Sequence, residues 1–483
     1  MVDSPSDHKE LQKFGYPQQL ARRMGGFSSF AISFSLISII TGIFANFQFG
    51  IQQVGGAIIW SWTLVGLGQL LVAVVMADLA GRFPISGYGY QWTSRLSNPH
   101  VGYFVGWLLL MQFITGFPGV CQALGATLVN MMGGGGDWTV TWLTVGIIVL
   151  ITIVHLFGIR LVSWVNDAGV FAEILGVIIL ILILWGTWVL AGEWQWDNLL
   201  NSTNASTGEA AGFSAFALSL LVGAWCMTGF EAAADLAEET KDPRKTVPKA
   251  VILSQLGAAV GGVLLLGGFI LAAESMSALQ SSETPLIMVL ETKLGNLGSR
   301  IFGFVILLSI FACGVASMAT VTRLIFSLAR DNMLPFSDLL KQVQPVSKTP
   351  MIATLVVCVL SCTFILTVRN LALITSISAV AGYLGYCGIL YASISSTADP
   401  DPIDGVFSLG KWRNLSQWTA LGWTVLVVAA LTIPPTEVAG MDETHLPAKS
   451  AFFAILLGLG LYVLWIRGRI QKGNAGPPSQ LEA

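Results

Sequence analysis

Twelve apolar stretches, each long enough to cross the hydrocarbon core of a bilayer as a helix, take up most of this chain and leave it few ways to fold. They run approximately over residues 25–50, 55–79, 101–131, 138–158, 163–191, 211–237, 247–273, 299–329, 350–368, 371–395, 416–435 and 449–467. Of the 483 residues 54% are hydrophobic and only 11% charged, and a water-soluble chain of this length would need far more charge. The expected fold class is an all-α polytopic membrane protein with twelve transmembrane helices.

The polar remainder narrows the function. A net charge of −3 gives no reason to expect a nucleic-acid partner. Cys121, Cys226, Cys313, Cys358, Cys362 and Cys387 all lie within apolar runs and form no CxxC pair, as small buried hydrophobes do. His8, His100, His155 and His445 are scattered without ligand spacing. No HExxH, nucleophile elbow or Walker motif is present, so neither an enzyme nor a cofactor or metal is expected. The first 24 residues are polar and basic, without the apolar core of a cleavable signal. The N-terminal segment, the even-numbered connections and the tail hold 20 of the 24 basic residues; only Lys293, Arg300, Arg369 and Lys449 fall on the other side. By the positive-inside rule both termini are cytoplasmic, in a multi-pass protein of the plasma or inner membrane.

The stretch from residue 211 to 250 predicts a site. Its apolar run from Ala211 to Met227 breaks at Thr228-Gly229-Phe230-Glu231 and carries Glu231 and Asp235 before Glu238-Glu239-Thr240-Lys241-Asp242-Pro243-Arg244-Lys245. Ionisable groups at depth, and any helix break there, must face protein or a water-filled cavity. The first span holds a matching set of small and polar residues, Ser35, Ser38, Thr41 and Gly42. If spans one to five and six to ten are inverted repeats, the two breaks meet near mid-membrane. Close helix packing at Gly42 and Gly229 is the alternative; the matched pair, with a carboxylate beside one of them, favours the breaks.

At these residues the chain resembles the amino acid–polyamine–organocation (APC) family of transporters. The resemblance is carried by Gly229-Phe230-Glu231 with the Glu238–Pro248 run, by Ala77–Trp92 after the second span, and by Arg323–Pro335 after the eighth. The first span looks most like the amino acid/choline transporter branch. The resemblance implies the leucine-transporter fold, with a cytoplasmic segment over 1–24, five-helix inverted repeats over 25–191 and 211–395, two further helices over 416–467 and a tail over 468–483. It also implies import of an amino acid or related amine by alternating access. Proton coupling is the expected mode; sodium symport, exchange, uniport, a channel and a substrate sensor are the alternatives.

Site roles follow from the same resemblance. Ser38, Thr41, Gly42 and Ile43 would meet a substrate carboxylate, with Thr41–Ile43 opening the second half-helix of span one and offering free N–H groups. Carbonyl groups freed at Cys226, Met227 and Thr228 would accept from an ammonium, and Trp225 would close over it. Glu231 is a candidate for substrate contact or proton coupling, with capping of the half-helix as the plainer reading. Asp235 either shares its proton or faces the cytoplasmic vestibule. Glu173, near where some relatives carry a lysine, is a coupling candidate as a proton carrier or a holder of a cation, and this departure puts lysine-type coupling in doubt; Asn166 and Asp167 are expected to be solvated. Ser317 and Thr320 could serve a sodium ion, although such hydroxyls usually bond their own helix. Arg82, Glu238, Glu239 and Arg323, with Lys241 and Arg244, would form a cytoplasmic gate.

Overall fold

The computed structural model describes residues 11–191, 196–345, 347–396, 405–434 and 445–478. The start of the expected N-terminal segment, Lys9 and His8 included, and the last five residues of the tail lie outside the described residues. Helices carry nearly all of the regular structure, and the described residues hold only two isolated β-bridges. Among the described residues nine helical stretches can cross a membrane by length and composition; the first, Gly26–Arg82, runs through the expected first two spans. Phe213–Cys226 and Met351–Thr367 are shorter apolar helices.

The first span is two helices, α1 (Gly26–Ile37) and α2 (Ile39–Val54), parted at Ser38. α3 (Ile58–Arg82) is followed by α4 (Tyr88–Leu96), a buried helix that hydropathy does not reveal because half its residues are polar. Next come α5 (Pro99–Met131), α6 (Asp137–Leu156) and α7 (Ile159–Ala191). The sixth span is α8 (Phe213–Cys226), an irregular stretch, and one helical turn, α9 (Ala232–Asp235). The remainder is α10 (Pro243–Ala272), α11 (Pro285–Arg330), α12 (Met351–Thr367), α13 (Leu371–Ser395), α14 (Arg413–Thr432) and α15 (Leu446–Leu461). α11 begins earlier than its apolar run and bends at Gly295, where φ is 67°.

Two observations place the middle of the bundle. In α5 and α13, 78% of the most apolar window is buried inside the protein, whereas for the last span the figure is 11%. Helices at the rim, α6, α7, α14 and α15, expose Trp142, Leu150, Phe171, Leu182, Trp418, Phe452 and Phe453. In water such a surface would drive association; in hydrocarbon it is the solvated face. The chain is an integral multi-pass membrane protein.

Candidate functional site

The break in the first span is built on Ser38, whose φ of 30° and ψ of 97° lie off the helical and extended regions. Its amide still donates to Phe34 O (2.8 Å), which ends α1, and its carbonyl accepts from Gly42 N (2.9 Å), which starts α2. Its hydroxyl accepts from Thr41 N (3.2 Å), lies 2.6 Å from Thr41 Oγ1 and donates to Glu173 Oε1 (2.9 Å). The same carboxylate oxygen accepts from Ile40 N at 3.3 Å. The half-helix therefore opens at Ile39, not at Thr41, and its first amides are taken. The expectation of free N–H groups at Thr41, Gly42 and Ile43 is corrected: an internal side chain caps the helix, and Ile43 lies within α2, fully buried.

In the sixth span residues 227–230 leave the helix, with Gly229 at φ 92°. A Cβ on Gly229 would run into the Leu36 side chain, and one on Gly42 into Cys226, so both glycines let the two breaks touch. Cys226 Sγ donates to Ile37 O (3.2 Å), tying one break to the other. Thr228 Oγ1 donates to Trp225 O (2.8 Å). The Met227 carbonyl, expected to be free, accepts from Gln69 Nε2 of α3 (2.9 Å).

A cavity of about 30 Å³ lies where the breaks meet. Leu36, Ile37 and Thr41 of the first span line it, with Gln112, Phe113, Gly116, Phe117 and Val120 of α5, Trp225, Cys226 and Thr228, Cys313 and Ser317 of α11, and Ser378 of α13. That volume holds a water or two, so an amine-sized solute requires it to widen. Thr41, Trp225, Cys226, Thr228 and Ser317 thus reach the cavity, whereas Ser38, Gly42, Ile43, Met227 and Glu231 stand behind or beside its wall. Ser317 and Thr320 donate to Cys313 O (2.8 Å) and Ala316 O (3.1 Å) of their own helix. The particular residues that α5 and α13 contribute were not singled out, because a largely apolar helix with a few scattered polar residues shows no clear inward face. Asn166, expected in solvent, is buried within α7, and Asp167 accepts from Ser28 Oγ (2.6 Å).

Past the cavity, the chain from 231 to 241 lays down one charged layer after another. Glu231 Oε1 accepts from Tyr386 Oη (2.8 Å) and Tyr88 Oη (3.3 Å), and its Oε2 has no partner among the described residues. Asp235 Oδ1 accepts from Gly87 N (2.9 Å); its amide donates to Glu231 O (3.4 Å), but among the described residues no hydrogen bond joins the two carboxyl groups, and both are fully buried. Glu239 takes a bidentate pair from Arg323 (2.9 and 3.0 Å), and Glu238 takes Arg330 Nη1 on both oxygens (3.0 and 3.1 Å).

These pairs are buried, not solvated. Arg330 is the member that sequence reasoning missed. Arg82 instead pairs with Asp78 on its own helix (3.1 Å). The N-terminal segment closes over the layers: Met24 and Thr240 form a parallel bridge, and Tyr16 and Tyr90 donate to Asp331 (2.8 and 2.7 Å). The Arg330 guanidinium stacks 3.7 Å over the Tyr16 ring. Burial and the Asp331 carboxylate push the Tyr16 phenol well above its ordinary range, so it stays a donor.

The comparisons with known proteins fit this geometry. The family described as amino acid permease matches residues 24–477. The amino-acid permease BAT1 of Arabidopsis thaliana is 25% identical, covering 97% of each chain. A thiamine transporter of Schizosaccharomyces pombe, thi9, is 24% identical over 88% of this chain and 77% of its own length. A putative amino acid/polyamine transporter of Macrophomina phaseolina is 26% identical, over 87% of this chain and 96% of its own. A match over nearly the whole length, on a bundle with two broken helices around a cavity, makes this chain a transporter rather than an enzyme: it belongs to the amino acid permease family of APC transporters.

Proposed function

We propose that the chain is a secondary transporter that imports a small amino-bearing solute by alternating access, with protons as the coupling ion. The observation that carries this reading is the meeting of the two breaks at one cavity, Gly42 against Cys226 and Gly229 against Leu36. Such breaks supply backbone acceptors and donors at mid-membrane, and rocking one bundle against the other exposes them to each side. The relatives' names, which include amino acids, polyamines and thiamine, support an amino-bearing solute.

In this reading spans one to five and six to ten are inverted repeats of the leucine-transporter fold, and the layers from Glu231 to Asp331 form the cytoplasmic gate, closed here. Trp225 covers the solute, and Thr41 and Thr228 offer hydroxyls to it. Glu231, held by two tyrosines with one oxygen unpartnered, is the proton site that feels the gate open. Counterflow in proteoliposomes tests the transport reading: preloaded solute should drive uptake of labelled solute. A channel passes solute without exchange, and a sensor binds without passing it. Uptake should rise with an inward proton gradient and lose that response in Glu231→Gln; dependence on sodium instead, or on neither ion, would replace proton coupling with symport of sodium, exchange or uniport.

A further inference from the structure

We infer that the solute is a cationic amine without a carboxylate, because Ser38 and Glu173 of the protein itself occupy the backbone donors that a solute carboxylate would need. The inference rests on the transport reading above and sharpens it to a substrate class. At the start of α2, Ile40 N donates to Glu173 Oε1 (3.3 Å), Thr41 N to Ser38 Oγ (3.2 Å) and Gly42 N to Ser38 O (2.9 Å). Whatever the charge on Glu173, those donors are used.

The acceptor side of the same break is weakly held. Leu36 and Ile37 line the cavity, and their carbonyl oxygens accept from the thiols of Cys313 (3.6 Å) and Cys226 (3.2 Å). A thiol is a poor donor, and an ammonium group is a strong one that can displace it. Gln112 Oε1, in the same wall and buried, has no partner among the described residues. Among the described residues no lysine, arginine or histidine lines the cavity, while Phe113, Phe117 and Trp225 put aromatic rings in its wall, a residue type that attracts cations. Behind this wall the Glu173 carboxyl group connects to Thr41 through the Ser38 hydroxyl, by contacts of 2.9 and 2.6 Å. Acceptors, rings and an internal acid surround the cavity, and among the described residues no cationic side chain in its wall answers a second acid.

The test uses purified full-length protein in proteoliposomes and pairs of compounds that differ in a carboxylate: cadaverine and lysine, tyramine and tyrosine, choline and glycine betaine, butylamine and γ-aminobutyrate. In the pair that the protein carries, the member without the carboxylate should compete in counterflow at a roughly tenfold lower concentration. Glu173→Gln should narrow that ratio, since it removes the internal acid. Equal or better competition by the carboxylated member in wild-type protein overturns the inference while leaving transport standing, and this comparison needs no variant. Counterflow with no pair overturns the transport reading and the inference with it.

Discussion

Gly229 shows most directly how one residue sets the site. Its φ of 92° suits glycine, and a Cβ there would meet the Leu36 side chain across the gap between the two breaks. Gly229→Ala is expected to cost about 1–3 kcal/mol, through backbone strain and the displaced Leu36, read as a lower thermal midpoint in detergent. Its uptake should fall further than a stability loss of that size explains, because the sixth-span break is pushed off the first. Much of this was legible: Gly229, Glu231 and Gly42 stand out as small or charged residues in apolar surroundings, and the structure brings them to the breaks. Ser38 was harder to read. A serine at positive φ leaves no mark in a sequence, and only the cap it makes with Thr41 and Glu173 explains why the second half-helix opens two residues before the expected place.

At the scale of elements, the 231–241 stretch ties α4, α11 and α13 together through buried carboxylates and holds the N-terminal segment by a backbone bridge. Arg323 and Glu239 are fully enclosed, so removing one partner strands the other. Arg323→Met alone should destabilise the protein by about 3–5 kcal/mol, and Arg323→Met with Glu239→Leu should recover most of it. Thermal unfolding of the single and double variants checks this coupling. The N-terminal segment holds the same layers from outside through Tyr16 and Met24. Deleting residues 1–23 should raise hydrogen exchange over 86–92 and 327–331, the segments it covers, and leave α6 and α14 unchanged. The sequence indicated that basic and acidic residues of different helices gather at this face. It did not indicate the pairing, because partners such as Arg330 and Glu238, 92 residues apart, become neighbours only through the packing of α11 against the sixth span.

For the whole molecule, apolar length and the scarcity of charge were enough to read a helical multi-pass membrane protein, since a bilayer imposes both. The residues that α5 and α13 lend to the cavity were not readable, since both helices are largely apolar and their few polar residues, Gln112 and Ser378 among them, do not mark one face as the inward one. The central claim is that solute sits between the breaks of the first and sixth spans. Cys226 stands in that cavity wall, within reach of Ile37 O. With the other five cysteines replaced by alanine, the alkylation rate of Cys226 by a small thiol reagent can be measured in proteoliposomes with increasing solute. The account predicts that a carried solute slows the reaction, with half-protection at the concentration that half-saturates uptake. A solute that is transported yet leaves the Cys226 rate unchanged at saturation would place the site elsewhere.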